Sequence, residues 1–378
     1  MEKSLKTINE HLCARHSVQK QGRKNLKEKL SISVLTLTYK RGHLLRYVFD
    51  ALVNQTYKDF DVVVVLKPSG DKSEEIIEKF AKLLKIKMII QEKGYITDAI
   101  NLGLENVSGD ITAFLDDDAI PFPDWIQNIV ETYALQNVGG VAGNVIPAFL
   151  KEKSEVQFND KDSEIIIRDY KPFLDNIGRK IWSCPLKGLE DYFVYVSKAG
   201  IVDYNFNIGN LANQCITKSL LGMGANMSVL TEATKGFKLQ SWILGLGSEQ
   251  FLGWYVWKKG YDLFYNPKVK VLHLAHGQTL SRNIEDFRRQ LLLKVEVQLF
   301  FYRLYGLEKD LSVMHRISWI IFRTLLAFKQ AQSFREAYIF LKGMLIGNII
   351  GCKWLISNKF GLRYDPLFEL EAILKKSQ

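Results

Sequence analysis

The stretch DITAFLDDDAIPFPDWIQNIVETYAL, residues 110–135, decides the fold. Its opening DITAFL (110–115) is of strand length, and PDWIQNIVETYAL (123–135) repeats apolar residues at helical spacing, with Pro123 near its first turn. Between them stand Asp116, Asp117 and Asp118. Three adjacent carboxylates repel one another. Either they form a solvated turn or helix cap, or they hold a divalent cation that carries a phosphate.

The same alternation runs outward on both sides. SISVLTLTY (31–39), DVVVVL (61–66), KMII (87–90) and VGGVAGNVIP (138–147) read as strands. HLLRYVFDALVNQ (43–55), SEEIIEKFAKLL (73–84, capped by Ser73) and TDAINLGLENV (97–107) read as helices. This order predicts an α/β domain, a mostly parallel sheet with helices on both faces. Ligands of such sheets bind beyond the carboxyl ends of the strands, where the aspartates fall.

Residues 150–205 are charged and mixed and read as an insertion, with weak strand signals in EIIIRDY (164–170) and YFVYVSKAGIV (192–202). Strand character returns in GANMSVL (224–230), GYDLFY (260–265) and VKVLHL (269–274). From 284 onward the pattern is helical, giving a C-terminal helical region at 281–378. Residues 1–30 read as a basic arm outside the core.

The 378 residues are 47% hydrophobic with only 8 prolines, which fits a large core. The net charge of +10 calls for an anionic partner. Nucleic acid is set aside, because the basic residues are dispersed and no recognised module is present. A dinucleotide dehydrogenase is set aside for want of a Gly-x-Gly-x-x-Gly after the first strand. Cys13, Cys184, Cys215 and Cys352 have no paired spacing and read as free thiols in a reducing compartment. The first residues lack the apolar segment of a signal peptide, and no run of about 18 uncharged apolar residues suggests a membrane span.

Five pieces in order carry a family resemblance. They are TYKRGHLLRYVFDALVNQTYKDFDVVVV (38–65), AINLGLENVSGDITAFLDDDAIPFPDW (99–125), GANMSVLTEATKGF (224–237), GSEQFLGWYVWKKGY (247–261) and NPKVKVLHLAHG (266–277). Together they resemble family 2 glycosyltransferases of the GT-A fold over about 31–280. That range divides into a nucleotide-sugar half (31–147), the insertion, and an acceptor-side half (206–280). Three positions depart from the pattern. Leu66 and Lys67 stand where the family has two aspartates, the first of which reads the nucleobase. Ile100 replaces an arginine, and Ser248-Glu249 replaces Glu-Asp.

The resemblance implies a metal-dependent, inverting transfer of a sugar from a nucleoside diphosphate to a glycan or lipid-linked acceptor. Glu249 would be the general base. Asp118 would bind Mg²⁺ or Mn²⁺, with Asp116 on ribose or metal and Asp117 turned elsewhere within the nucleotide-sugar site. His273, which shares a strand face with Val269 and Val271, is a third metal ligand or a buried structural histidine, and His276 could replace it. Thr38, Tyr39 and Arg41 would line the nucleotide. Asp98 and Asn101 lie near the same crevice, as site residues or as helix caps. Asn226 and Trp254 fall on the acceptor side, where Trp254 could equally be core. The departures leave one alternative, a non-catalytic GT-A-like binding or scaffold protein.

HRISWIIFRTLLAFK (315–329) mixes a wide apolar face with arginine and lysine, which suits an anionic membrane surface. YIFLKGMLIGNIIGCKWLI (338–356) has ten residues between Lys342 and Lys353, too few to span. Packing on the domain or on a second copy of the chain is the competing reading. The resulting expectation is a cytoplasmic protein, peripheral on the inner membrane face.

Overall fold

A computed structural model describes residues 30–151, 155–159, 183–240, 245, 247–275, 287–330 and 333–375. Most of the basic arm, EIIIRDY and His276 lie outside the described residues. The first half runs β1 (Ile32–Thr38), α1 (Gly42–Val53), β2 (Phe60–Leu66), α2 (Ser73–Phe80), β3 (Ile86–Ile90), α3 (Ile96–Leu104), β4 (Ile111–Leu115), β5 (Ala119–Pro121), α4 (Trp125–Tyr133) and β6 (Val138–Leu150). β1 pairs in parallel with β2 on one side and β4 on the other, and β3 lies outside β2. The chain therefore builds outward from β1, then crosses back to lay down β4. This reversal opens a crevice between the carboxyl ends of β1 and β4.

β2 shows why the sheet is buried on both faces. Val62, Val64 and Leu66 enter one core with Leu45, Val48 and Phe49 of α1, Ile77 of α2 and Trp125 of α4. Val63 and Val65 enter the opposite core with Ala99 and Ile100 of α3. Each such valine is worth about 1.5–3 kcal/mol over its exposed state. An unbroken apolar run is what a doubly covered strand requires.

The second half continues β7 (Val156–Phe158), β8 (Val194–Val196), β9 (Val202–Tyr204), α5 (Phe206–Ala212), β10 (Thr217–Lys218), β11 (Asn226–Leu230), α6 (Ser248–Lys258) and β12 (Asp262–Ala275). β11 is wedged antiparallel between β4 and β6, and β12 runs parallel to β6. GYDLFY and VKVLHL are thus one strand. Its register breaks between Asn266 and Lys270, where Pro267 lacks a ladder donor.

Local boundaries differ from the sequence reading. Lys72, not Ser73, is the cap of α2, because the Ser73 hydroxyl turns to Asp71 at 3.0 Å. α4 starts at Trp125 with Asp124 as its cap. The Pro123 carbonyl just before it is held by Thr56 N at 2.8 Å. Residues 183–205 are not an appendage: the β8–β9 hairpin places Phe193 5.5 Å from the Tyr265 ring, with Leu186 and Leu189 in the same core.

The C-terminal helices are α7 (Phe287–Leu304), α8 (Val313–Gln330), α9 (Phe334–Lys359) and α10 (Pro366–Lys375). Leu291, Val295 and Leu299 of α7 join the main core, so this helix packs directly on the sheet domain. α9 lies on α7 through Gly343, Gly347 and Gly351. A Cβ at Gly347 would meet the Gln298 Cβ at 2.7 Å. α9 runs 26 residues unbroken and is, by length and composition alone, long and apolar enough to cross a membrane. Counting only between its lysines understated it. Yet 44% of its apolar window is buried against the protein itself.

Candidate active site

The crevice is walled by the ends of β1 and β4. After Thr38 the chain turns at Lys40, whose φ of 60° is the left-handed conformation few side chains adopt. The turn brings Arg41 to face the aspartates. Arg41 Nη1 donates to Asp117 Oδ1 at 2.7 Å and to Asp118 Oδ2 at 2.9 Å. Thr38 is buried beside Asp117.

His273 reaches the cluster through strand pairing. β5 pairs antiparallel with β12, with Ala119 opposite His273, and Leu274 N donates to the Asp118 carbonyl at 2.9 Å. His273 Nε2 then lies 3.2 Å from Asp118 Oδ1. One ligand atom each from Asp116, Asp118 and His273 falls within 4.8 Å of the others. Asp118 is buried, whereas Asp116 is half-open to the crevice. Gln55 holds this hairpin from behind: it is fully buried, donates to the Phe122 carbonyl at 2.7 Å and accepts from Ile126 N at 3.1 Å.

The charge balance of the cluster is uneven. Burial pushes Asp116 up to about 7, with repulsion from Asp118 adding and His273 opposing. Burial pushes Asp117 up to about 6 against the pull of Arg41. Arg41 alone cannot neutralise three carboxylates in such a place. The donor set fits a hard or borderline divalent cation: two carboxylates and an imidazole converge, leaving positions for phosphate oxygens. Only the neutral imidazole, with its Nε2 lone pair free, could ligate a cation there.

Glu249 faces this cluster from the first turn of α6. The preceding Gly247 has φ of 76°, and a Cβ there would also strike the Phe300 ring of α7 at 2.8 Å. The Glu249 carboxylate accepts from its own N–H and from that of Gly224, while burial raises its pKa. Its charge raises the pKa of both Asp116 and Tyr204, which places it within electrostatic reach of each. Arg303 of α7, buried and pushed down to about 9 by desolvation, acts electrostatically on Glu249 and Glu296.

Tyr39 lies at the crevice mouth, flanked by Lys40 Nζ at 5.1 Å and Lys67 Nζ at 5.5 Å from its ring centre. Lys67 Nζ also donates to the Gly94 carbonyl at 2.6 Å. Leu66 is core.

Other expected residues are used for support. Asp98 caps α3 by accepting from Tyr95 N at 2.8 Å. The Asn101 amide ties α3 to both backbone groups of Leu239, at 2.7 and 2.9 Å. Asn226 corrects the acceptor-side expectation. It is fully buried, accepting from Trp125 Nε1 at 2.8 Å and donating to the Asn144 and Val269 carbonyls. Trp254 is likewise core: it stacks on Phe251 and donates to Glu308 at 3.0 Å. Both are closed to an acceptor. Tyr204 and Arg303 escaped the sequence reading, since each lies far along the chain in no motif. Lys67 was visible only as a departure.

Residues 33–183 match the family described as Glycosyl transferase family 2. Glycosyltransferase GlyA of Streptococcus pneumoniae serotype 4 is 39% identical over 103 residues, 27% of this chain and 14% of that protein. The match thus spans a small part of that relative. Two solved structures share the fold. TarS 1-349 of S. aureus has a TM-score of 0.51 at 13% identity, covering 85% of this chain and 80% of that one. GalNAc-T7, solved with UDP, GalNAc and Mn²⁺, has a TM-score of 0.51 at 12% identity, covering 81% and 58%. The crevice at the strand reversal and the Asp-Asp-His cluster within it thus stand in a chain whose residues 33–183 are similar to glycosyl transferase family 2 and whose fold is shared with TarS and GalNAc-T7.

Proposed function

We propose that the protein moves a sugar from a nucleoside diphosphate to a hydroxyl of a glycan or lipid-linked acceptor, with inversion at the anomeric carbon. The observation that carries this reading is the convergence of Asp116, Asp118 and His273 opposite Glu249 at the strand reversal. Asp118 and His273 would hold a divalent cation, with Asp116 completing the set. An imidazole among the donors favours Mn²⁺ over Mg²⁺. When bound, the cation supplies counter-charge to the departing diphosphate. Arg41 keeps Asp117 and Asp118 in place, and Tyr39 with Lys40 and Lys67 offers a cationic, aromatic wall for the nucleotide. Lys67 donates hydrogen bonds where a carboxylate would accept them, so base selection would run through acceptor groups on the base.

Glu249 takes the proton of the acceptor hydroxyl as that oxygen attacks. Its raised pKa makes it a stronger base than a solvated carboxylate. A single base facing a single leaving group gives one displacement, hence inversion. The scaffold alternative rests on Leu66, Lys67 and Ser248, each of which replaces a family carboxylate; the retained carboxylates of Asp116, Asp118 and Glu249 argue against it. The C-terminal helices would bring the enzyme to the inner face of a membrane, where a lipid-linked acceptor is presented.

The test is release of nucleoside diphosphate from UDP-, GDP- and dTDP-hexoses with Mn²⁺. Wild type should turn over one donor class. Glu249→Gln should bind its nucleoside diphosphate normally and lose release. Equal release by both proteins would reject Glu249 as base.

A further inference from the structure

The outer surface of α8 and α9 is apolar where a surface should be polar. Along α8, Met314, Ile317, Ile321, Leu325 and Phe328 recur at spacings of three and four and are all exposed. Along α9, Phe334, Tyr338, Leu345, Ile349 and Ile356 follow at spacings of four and seven, on one helical face, and are exposed too, with Phe334 88% exposed. The inward sides of both helices meet in one buried cluster of Trp319, Phe340 and Met344 with Ala199. The exposed stripes are therefore not leftovers of a loose fold. Two neighbouring helices each turn a full-length apolar stripe outward, well beyond the scattered residues normal for a surface.

We propose that this outer face of α8 and α9 docks on an anionic lipid bilayer, with both helices lying in the plane of the interface. Charge selects the occupant. Beside the buried Arg316 and the Lys353 that pairs with Glu369, α8 and α9 carry five further lysines and arginines against one carboxylate, Glu336. Lys329, Arg335 and Lys359 are exposed beside the apolar stripes. A second copy meeting this face through a two-fold axis would set like charges against like. The N-terminal residues 1–29, with eight basic and three acidic side chains, are repelled in the same way. An anionic headgroup layer accepts both features together: apolar side chains enter the acyl boundary and the cations meet the lipid charge.

The seam with α7 argues against spanning. Gly347 packs on Gln298 and the Val295 carbonyl, and Tyr302 OH donates to Asn348 at 2.9 Å. A spanning α9 would have to leave that seam, or draw α7 and the core residues on it into the bilayer.

The inference is independent of the transferase reading, and its test needs no donor. Full-length protein is sedimented with vesicles of phosphatidylcholine alone, or of phosphatidylcholine mixed with phosphatidylglycerol. Light scattering reports its mass in parallel. The expected result is binding to the anionic vesicles only, reversed by high salt, by a monomeric protein. Ile321→Asp with Leu325→Asp should weaken binding at least tenfold with unchanged circular dichroism. Lys329→Gln, Arg335→Gln and Lys359→Gln should each weaken it by about fivefold; they test the same face if the aspartate pair does not fold. Three results would overturn the proposal: no vesicle binding, a dimer that the aspartate pair dissolves, or protein that resists both salt and alkaline extraction as a spanning helix does.

Discussion

The crevice and the C-terminal face are opposites. In the crevice, carboxylates sit where burial disfavours charge, and Asp116 and Asp117 are pushed up to about 7 and about 6. On α8 and α9, leucine, isoleucine and phenylalanine sit in water. Both arrangements raise the free energy of the isolated protein, and each would be relieved by a ligand of the complementary kind proposed for it. The difference lies in how they are built. The crevice is over-determined: strand pairing fixes His273 on Asp118, Arg41 fixes Asp117, and Gln55 fixes the hairpin beneath. The helical face rests on the glycine seam of α9 with α7 and on the apolar cluster of Trp319, Phe340 and Met344. Ligand loss should therefore follow point changes in the crevice, whereas the helical face should respond to bulk and charge.

The largest effect falls on chemistry. Glu249→Gln should lower kcat by about 10²–10⁴ while leaving nucleoside diphosphate affinity within about twofold. A parallel loss of affinity would mean that Glu249 belongs to the nucleotide site instead. Next comes the core behind the crevice. Asn226→Ala strands Trp125 Nε1 and two carbonyls and should cost about 3 kcal/mol, read by urea unfolding. A loss below about 1 kcal/mol would show the network to be dispensable.

The helical seam should respond to bulk. Gly347→Val puts a branched side chain against Gln298 and the Val295 carbonyl and should cost about 1–3 kcal/mol, with the metal site intact. If instead cation binding fails, the two regions are coupled more tightly than their separate construction implies.

A pH scan sharpens the comparison from the other side. Asp116 and Asp117 have ordinary values near 3.8 but are raised in the fold, so the native state holds protons that the unfolded chain releases. Their contribution to stability is complete below about pH 4 and is lost as pH rises through about 6 and about 7. The cation-free protein should thus melt a few degrees lower at pH 8 than at pH 5. Mn²⁺ should restore more at pH 8, where the carboxylates are already ionised. A melting temperature that rises over this range without cation would refute the crowded-carboxylate account. The smallest effect is expected at the exposed Lys353–Glu369 pair, 2.8 Å apart. Lys353→Gln should change stability by less than about 0.5 kcal/mol.

The parts legible in the sequence were those written in local pattern. DVVVVL announced a doubly buried strand, and the aspartates after DITAFL announced a site at a strand end. Glu249 and His273 followed from the resemblance. What stayed hidden depends on partners far along the chain. Nothing in NMSVL says that β11 inserts antiparallel between β4 and β6, so Asn226 looked like an acceptor contact rather than the clamp on Trp125. Arg41 was expected to line the nucleotide, and its bond to Asp117 stayed hidden because that residue lies 76 positions away. Residues 183–205 looked like an insertion because their charges mask the apolar side chains that close the core over Tyr265. The glycines of α9 are regularly spaced, but only α7 gives that spacing meaning.

The central claim is that Asp116, Asp118 and His273 hold a cation for a leaving diphosphate. Calorimetric titration of UDP, GDP, dTDP and ADP, with and without Mn²⁺, into wild type and Asp118→Ala tests it most directly. The account predicts Mn²⁺-dependent binding of one nucleotide by wild type and none by the variant. Binding that is indifferent to Mn²⁺, or that survives in Asp118→Ala, would contradict it.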